Sequence, residues 1–205
     1  MTRIDLPDSP PNLDVALSSV LQKRASIRTF SSKPLVLTEL ASLLWAGQGT
    51  THATTGKQLR TAPSSGAHHP FTLHVFALED ACISLSGGIY QYDPMGHSLL
   101  HTSQIQDEHD LAIACMGQQA ITESTLVIGL AADYTAVEDE YPEKGKQFVL
   151  MEAGHIAQNI LLMATALQIG ACPVGLFDDE EVAQIFTIPE NQHMVYLIPI
   201  GTPDE

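Results

Sequence analysis

The stretch EAGHIAQNILLMATALQIGACPVGLFD, residues 152–178, decides the fold. Between Glu152 and Asp178 lie 25 residues without a formal charge. A membrane span needs about 20 mostly apolar residues, but His155, Gln158, Asn159, Thr165 and Gln168 interrupt this run and Gly170, Pro173 and Gly175 break it. A span is therefore disfavoured. The composition instead predicts a helix over residues 152–169, apolar on nearly every side and so buried in protein, stopped at Gly170, where glycine takes a left-handed cap at little cost. Residues 172–177 are expected to follow as a short buried strand or turn. Ala153, Gly154, Ala157, Ala164 and Ala166 carry almost no side chain, which leaves room for another backbone or a flat ligand. His155, Gln158 and Asn159 recur at helical spacings of three and four and make one polar patch. Buried polar groups need partners, so the patch is expected to tie down neighbouring loops or a subunit contact.

Working outward, 205 residues with 44% hydrophobic and 16% charged residues describe a globular chain with a sizeable core. Residues 1–12, with Pro7, Pro10 and Pro11, read as an arm, and residues 13–205 as a single domain. No apolar N-terminal core suggests a signal peptide, so a cytoplasmic protein is expected. Cys82, Cys115 and Cys172 are odd in number and set among apolar residues, which predicts reduced core thiols, with no disulfide and no metal site. A net charge of −15 repels nucleic acid and anionic membrane alike. No Lys or Arg follows Lys146. An anionic ligand is therefore expected to be gripped from the first 60 residues or by backbone amides.

Residues 13–23 predict an amphipathic helix that Asn12 can cap. In the next residues, Arg24, Ser26 and Arg28 alternate with Ala25 and Ile27, so an extended backbone would turn the three polar side chains to one side. Two guanidinium forks around a hydroxyl suit a phosphate; a solvated strand with an apolar back has the same spacing. Residues 37–46 predict a helix ended by Gly47, and residues 50–60 a polar loop around Gly56. In the sequence Pro63-Ser64-Ser65-Gly66-Ala67, Pro63 breaks the chain, and either serine could cap a short helix or belong to an ordinary turn. Strands are expected over residues 72–79, 126–132 and 193–200, with a hairpin of residues 88–93 and 97–102 across Pro94-Met95-Gly96. In that hairpin His97 and His101 share one strand face. Residues 107–117 predict a helix, residues 133–146 an acidic loop, and Asp178 with Glu181 a capping box for a helix reaching Phe186. Helices and strands without regular alternation argue for an α+β fold, a mixed, mainly antiparallel sheet flanked by helices. Neither a G-x-G-x-x-G nor a P-loop is present.

Arg24-Ala25-Ser26-Ile27-Arg28 resembles the opening R-x-S-x-R/K signature of the FMN-dependent nitroreductase family. Pro63-Ser64-Ser65-Gly66-Ala67 resembles that family's second cofactor segment. Residues 152–159 and 173–178, with Gly88-Ile89-Tyr90-Gln91-Tyr92 and Pro199-Ile200-Gly201, are similar to the SagB-type dehydrogenase branch, as is Ala67, which stands where ordinary nitroreductases carry asparagine. The resemblance covers residues 23–201 in order. It implies an intertwined homodimer with FMN at the interface: the phosphate against Arg24, Ser26 and Arg28, the flavin against Pro63, Ser64, Ser65 and Gly66 of the other subunit, and the reactive edge of the ring against Pro173, Val174, Gly175 and Leu176. No protein side chain is then expected to be catalytic, because the flavin carries the redox chemistry. Hydride would pass between NAD(P)H and a flat acceptor such as a nitroaromatic or quinone. The branch resemblance also implies an alternative, oxidation of azoline rings in a modified peptide; a flavin-binding protein without turnover is a third reading. The basic residue that family members often place late in the chain has no counterpart after Lys146.

Overall fold

The computed structural model describes residues 2–8, 13–54 and 57–204. In chain order these form β1 (Arg3–Asp5), α1 (Leu17–Lys23), β2 (Leu35–Val36), α2 (Leu37–Gln48), β3 (Thr50–Thr54), β4 (Lys57–Arg60) and a 3-10 turn (Ser65–Ala67). There follow β5 (Phe71–Ala77), β6 (Cys82–Ile83), β7 (Gly88–Asp93), β8 (Ser98–Ser103), α3 (Asp110–Ala114), α4 (Gln119–Thr122) and β9 (Leu126–Ala132). The chain continues through α5 (Thr135–Glu140), α6 (Gly145–Ala166), β10 (Gly170–Ala171) and α7 (Asp179–Ile185) to β11 (His193–Gly201). One antiparallel sheet in the order β1-β8-β7-β5-β9-β11-β10 holds the molecule together. This is the expected α+β architecture; the one parallel pairing among the described strands is the small β2–β6 ladder.

The period-two alternation of strand side chains sorts β9 between two cores. Leu126, Ile128, Leu130 and Ala132 face the larger core with α2 and α6, whereas Val127 and Ala131 face the smaller one with α3 and α7. Being buried on both faces, β9 reads as an unbroken apolar run. Across the larger core α6 lays Val149, Ala153, Ile156, Ala157, Ile160, Leu161 and Ala164 on the sheet. A Cβ added at Gly47 of α2 would meet Ile160 Cδ1 at 3.0 Å, so the two helices approach closely, as the small residues suggested. The opposite face of α6 is open: Met151, Gly154, His155 and Gln158 are exposed.

The central helix departs from expectation at both ends. It starts at Gly145, seven residues before Glu152, and α5 occupies part of the expected acidic loop. Its last turn closes as a Schellman motif: the Ile169 N–H donates to Ala164 O (2.8 Å), the Gln168 N–H to Thr165 O (3.2 Å), and Gln168 takes the left-handed φ of 62°. The glycine expected to cap the helix is instead the first residue of β10. A Cβ at Gly170 would lie 2.9 Å from Ile27 Cγ2 and 3.0 Å from Phe30 Cε1, so close packing is what favours glycine there.

Other boundaries also moved. Helix α1 begins at Leu17 rather than residue 13; short helices depend on tertiary packing, and only Val20 of α1 is buried in this chain. The expected cap Asn12 lies outside the described residues, as does Gly56. Gly47 sits inside α2, which runs to Gln48. Within the expected polar loop at residues 50–60, β3 and β4 pair as antiparallel strands. The expected helix at 107–117 is confined to α3, Asp110–Ala114; Met116 and Gly117, at φ of 57° and 65°, separate it from α4, which starts at Gln119. His97 leaves the strand at φ 43° to bond Tyr92 and the Pro7 carbonyl. The arm is anchored by β1 and by Leu6, which enters the core. The three cysteines are buried and free.

Candidate cofactor site

Two of the three segments singled out in the sequence meet within one chain. Arg24 leaves α1 with an extended backbone (φ −54°, ψ 122°), and the Ile27 N–H donates to Ala171 O of β10 at 3.0 Å. The segment is fixed again just beyond, where the Ser31 N–H donates to Thr202 O (2.9 Å) and Phe30 bridges to Pro203. Residues 24–28 belong to no strand, and the expected alternation is incomplete: Ile27 packs on Gly170, but Ala25 is exposed. Arg24 and Ser26 are half-buried and Arg28 is exposed. Among the described residues neither arginine forms an ion pair; the Arg28 guanidinium makes only a long contact, 3.5 Å, to Ser26 O.

Strand β10 leads directly into residues 173–176. Val174 exchanges two backbone hydrogen bonds with Leu197 (2.7 and 2.9 Å) and is buried. Beyond it the chain turns outward: Gly175 and Leu176 are exposed, and the Leu176 carbonyl accepts from Gln118 Nε2 at 2.6 Å. Among the described residues the Gly175 N–H has no hydrogen-bond acceptor. A Cβ at Gly175 would only touch the Tyr196 ring at 3.4 Å, leaving open space above the backbone.

The third segment lies elsewhere. Pro63, Ser64 and Ser65 line a cavity of about 240 Å³ with Met151, Glu152 and His155, near the start of α6, whereas residues 24–28 sit beside the strand that follows its end. At 1.5 Å per residue, Glu152 and Leu167 are about 22 Å apart along the helix axis. The serines cap no helix. The 3-10 turn is a single turn in which Gly66, Ala67 and, beyond it, His69 have φ of 60°, 59° and 50°, and the Ser64 hydroxyl accepts from the His69 N–H (2.8 Å) to close the loop. Left-handed non-glycine residues cost about 1–3 kcal/mol each and persist only when neighbours over-determine them. Here His68 contacts Glu140 of α5, His69 Nε2 meets Gln58 O at 3.1 Å, and Asn159 Nδ2 donates to Thr61 O at 3.3 Å. Asn159 thus ties down a loop, as its polar patch suggested, while His155 and Gln158 stay exposed.

Beneath this loop lies a polar cluster that the sequence reading missed. Glu152 is 3% exposed and its Oε1 has no hydrogen-bond partner. Burial pushes its acid up to about 7, opposed by the Ser64 hydroxyl, Arg60, Gln48 and His68. Arg60 donates through Nη1 to Gln48 Oε1 rather than standing free, and burial lowers its pKa. Burial, then the Arg60 charge, also lowers His69. The available signal was Glu152 itself, an acid at the head of a charge-free run whose neighbours are core residues.

The model of the nitroreductase family matches residues 21–202. The chain belongs to the nitroreductase family. A Methanocaldococcus jannaschii protein named "Putative nitroreductase MJ1384" is 36% identical over 198 residues, covering 97% of this chain and 95% of that protein. A Ralstonia eutropha crystal structure described in the same terms superposes with a TM-score of 0.82 at 24% identity, covering 99% of this nitroreductase and 90% of the other chain. The fold is also shared with a chain of the Escherichia coli microcin synthetase McbBCD complex, with a TM-score of 0.77 at 17% identity over 97% of this chain and 77% of that one. Family membership makes this nitroreductase an oxidoreductase.

Proposed function

We propose that the protein is an FMN-dependent oxidoreductase that moves hydride between NAD(P)H and a flat acceptor such as a nitroaromatic or quinone. The observation that carries this reading is a pair of arginines without an ion-pair partner among the described residues, Arg24 and Arg28, on a segment bonded to β10, beyond which the chain reaches the free amide of Gly175. Guanidinium forks of this kind neutralise a phosphate and bond it bidentately; a ring edge needs a donor and room, both of which Gly175 has. FMN, when bound, supplies the hydride transfer. Arg24, Ser26 and Arg28 would neutralise and orient the phosphate, the Gly175 N–H would bond the ring, and Leu176 would shield it from water.

The reading also calls for a homodimer. Pro63, Ser64, Ser65 and Gly66 join α6 far from Arg24, so the second segment is supplied by another copy. An apolar cavity of about 310 Å³ along α6, lined by Leu13, Leu17, Val20, Trp45 and Met163, offers a surface for that copy. The test is the absorbance spectrum of the purified protein before and after anaerobic NADH or NADPH, with its sedimentation. A flavin spectrum that bleaches in a dimer, and returns with a quinone, is expected. A stable monomer holding flavin would overturn the dimer; flavin that neither nicotinamide reduces would leave the peptide-oxidising or non-catalytic readings.

A further inference from the structure

The cavity beneath residues 63–65 holds an unusual carboxyl group. Glu152 projects from the buried side of α6, and Oε1 is without a hydrogen-bond partner. Charged and polar groups face it from each surrounding element. Arg60 comes from β4 but spends its Nη1 on Gln48 Oε1. Gln48 comes from α2, its Nε2 also without a partner. Ser64 and His68 come from the loop, His68 being held by Glu140 of α5, and His155 of the same helix lines the cavity. A carboxylate so placed is costly unless paired, and the cavity beside it is lined by Pro63, Ser64 and Ser65, the segment that the proposed function sets against the flavin.

We infer that Glu152 takes up a proton when flavin closes over residues 63–66, and is a proton-linked positioning residue for that segment. This rests on the FMN reading above. Three effects act in one direction. A flat ligand over the cavity removes remaining water, which disfavours the charged form. FMN is anionic, and a negative charge nearby does the same. Any hydrogen bond the Ser64 hydroxyl gives to the ligand is withdrawn from Glu152, whose ionised form that contact favours. With its acid at about 7, roughly three-quarters of Glu152 is ionised at about pH 7.5, so there is a proton to be gained. Neutral Glu152 leaves no buried negative charge under the strained loop.

The experiment titrates the flavin-free full-length protein with FMN at about pH 7.5 in two buffers of different ionisation enthalpy. The difference in heat counts protons. Wild type is expected to take up about half a proton or more per subunit, Glu152→Gln none, and Glu152→Asp to restore part of it. FMN affinity should fall by up to about tenfold per pH unit above 7 in wild type and stay flat in Glu152→Gln. Riboflavin, which lacks the phosphate charge but not the ring, should show a smaller uptake in the same direction, since the FMN phosphate, with a second pKa of about 6, is already ionised and takes up no proton itself. Wild type binding FMN without net proton uptake, or Glu152→Gln keeping it, overturns the inference while leaving the FMN reading intact. No FMN binding at all overturns both.

Discussion

Acidification from pH 7 to 4 should act on two buried side chains in opposite directions, and removing either one should expose the other. His74 of β5 is 2% exposed, and neither ring nitrogen has a hydrogen-bond partner. Burial lowers its pKa from 6.5 to about 4, with Gln192 beside it offsetting only part. The unfolded chain therefore binds the proton first, and stability present above pH 6.5 is lost as the pH falls towards about 4. That shift corresponds to about 3 kcal/mol. Glu152 runs the other way: raised from 4.5 to about 7, it contributes stability that is full below pH 4.5 and lost as the pH rises through 7. Screening at the cavity mouth reduces its share to about 2 kcal/mol. In wild type the two slopes largely offset each other. In Glu152→Gln, urea unfolding at fixed protein concentration should lose about 2 kcal/mol more than wild type on going from pH 7 to 4.5. His74→Leu should show the reverse slope, and at pH 7 cost little, because it removes polar atoms that have no partner. Parallel pH profiles for wild type and both variants would refute this account of the two buried groups.

Other outcomes can be checked more simply. Arg24→Ala should weaken FMN by about ten- to a hundredfold and leave riboflavin nearly unchanged in a flavin titration, with Arg28→Lys milder because its charge remains; equal loss for both ligands would refute the phosphate assignment. Gly170→Ala forces a methyl to within 3.0 Å of Ile27 and Phe30, so urea midpoints should report a loss of about 1–3 kcal/mol, with FMN affinity falling as residues 24–28 shift. Asp178 accepts from the Glu180 and Glu181 N–H groups at 3.1 and 3.0 Å; Asp178→Ala should cost about 1 kcal/mol by the same assay.

What could be read in the sequence was whatever repeats or punctuates. Strand β9 matched its expected residues 126–132 because an unbroken apolar run admits few alternatives, and Asp178 capped α7 as its position suggested. The reciprocal half of that capping box is absent because the Asp178 N–H instead donates to Ala114 O, a contact across 64 residues that no local pattern encodes. The start of α6 was missed for a related reason: Lys146 and Glu152 interrupt its apolar run, and burial of Val149 against the sheet decides the matter. At the site, the order of the segments was legible and the resemblance implied their grouping, but the bonds that hold them were not. Ile27 reaches Ala171 through a long-range backbone bond, and the Gln48, Arg60 and Glu152 cluster draws one residue from each of three elements.

The sheet is long in its middle and clipped at its margins. Strand β1 has 3 residues and β10 has 2, against 7 in β5 and β9 and 9 in β11. A chain seeking to add itself to either margin finds only a few unpaired amides and carbonyls, the device by which natural sheets resist fibril growth. On the β10 side, Cys172 and Val174 occupy further carbonyls and amides of β11. Copies of this protein therefore have little to gain by joining this sheet edge to edge.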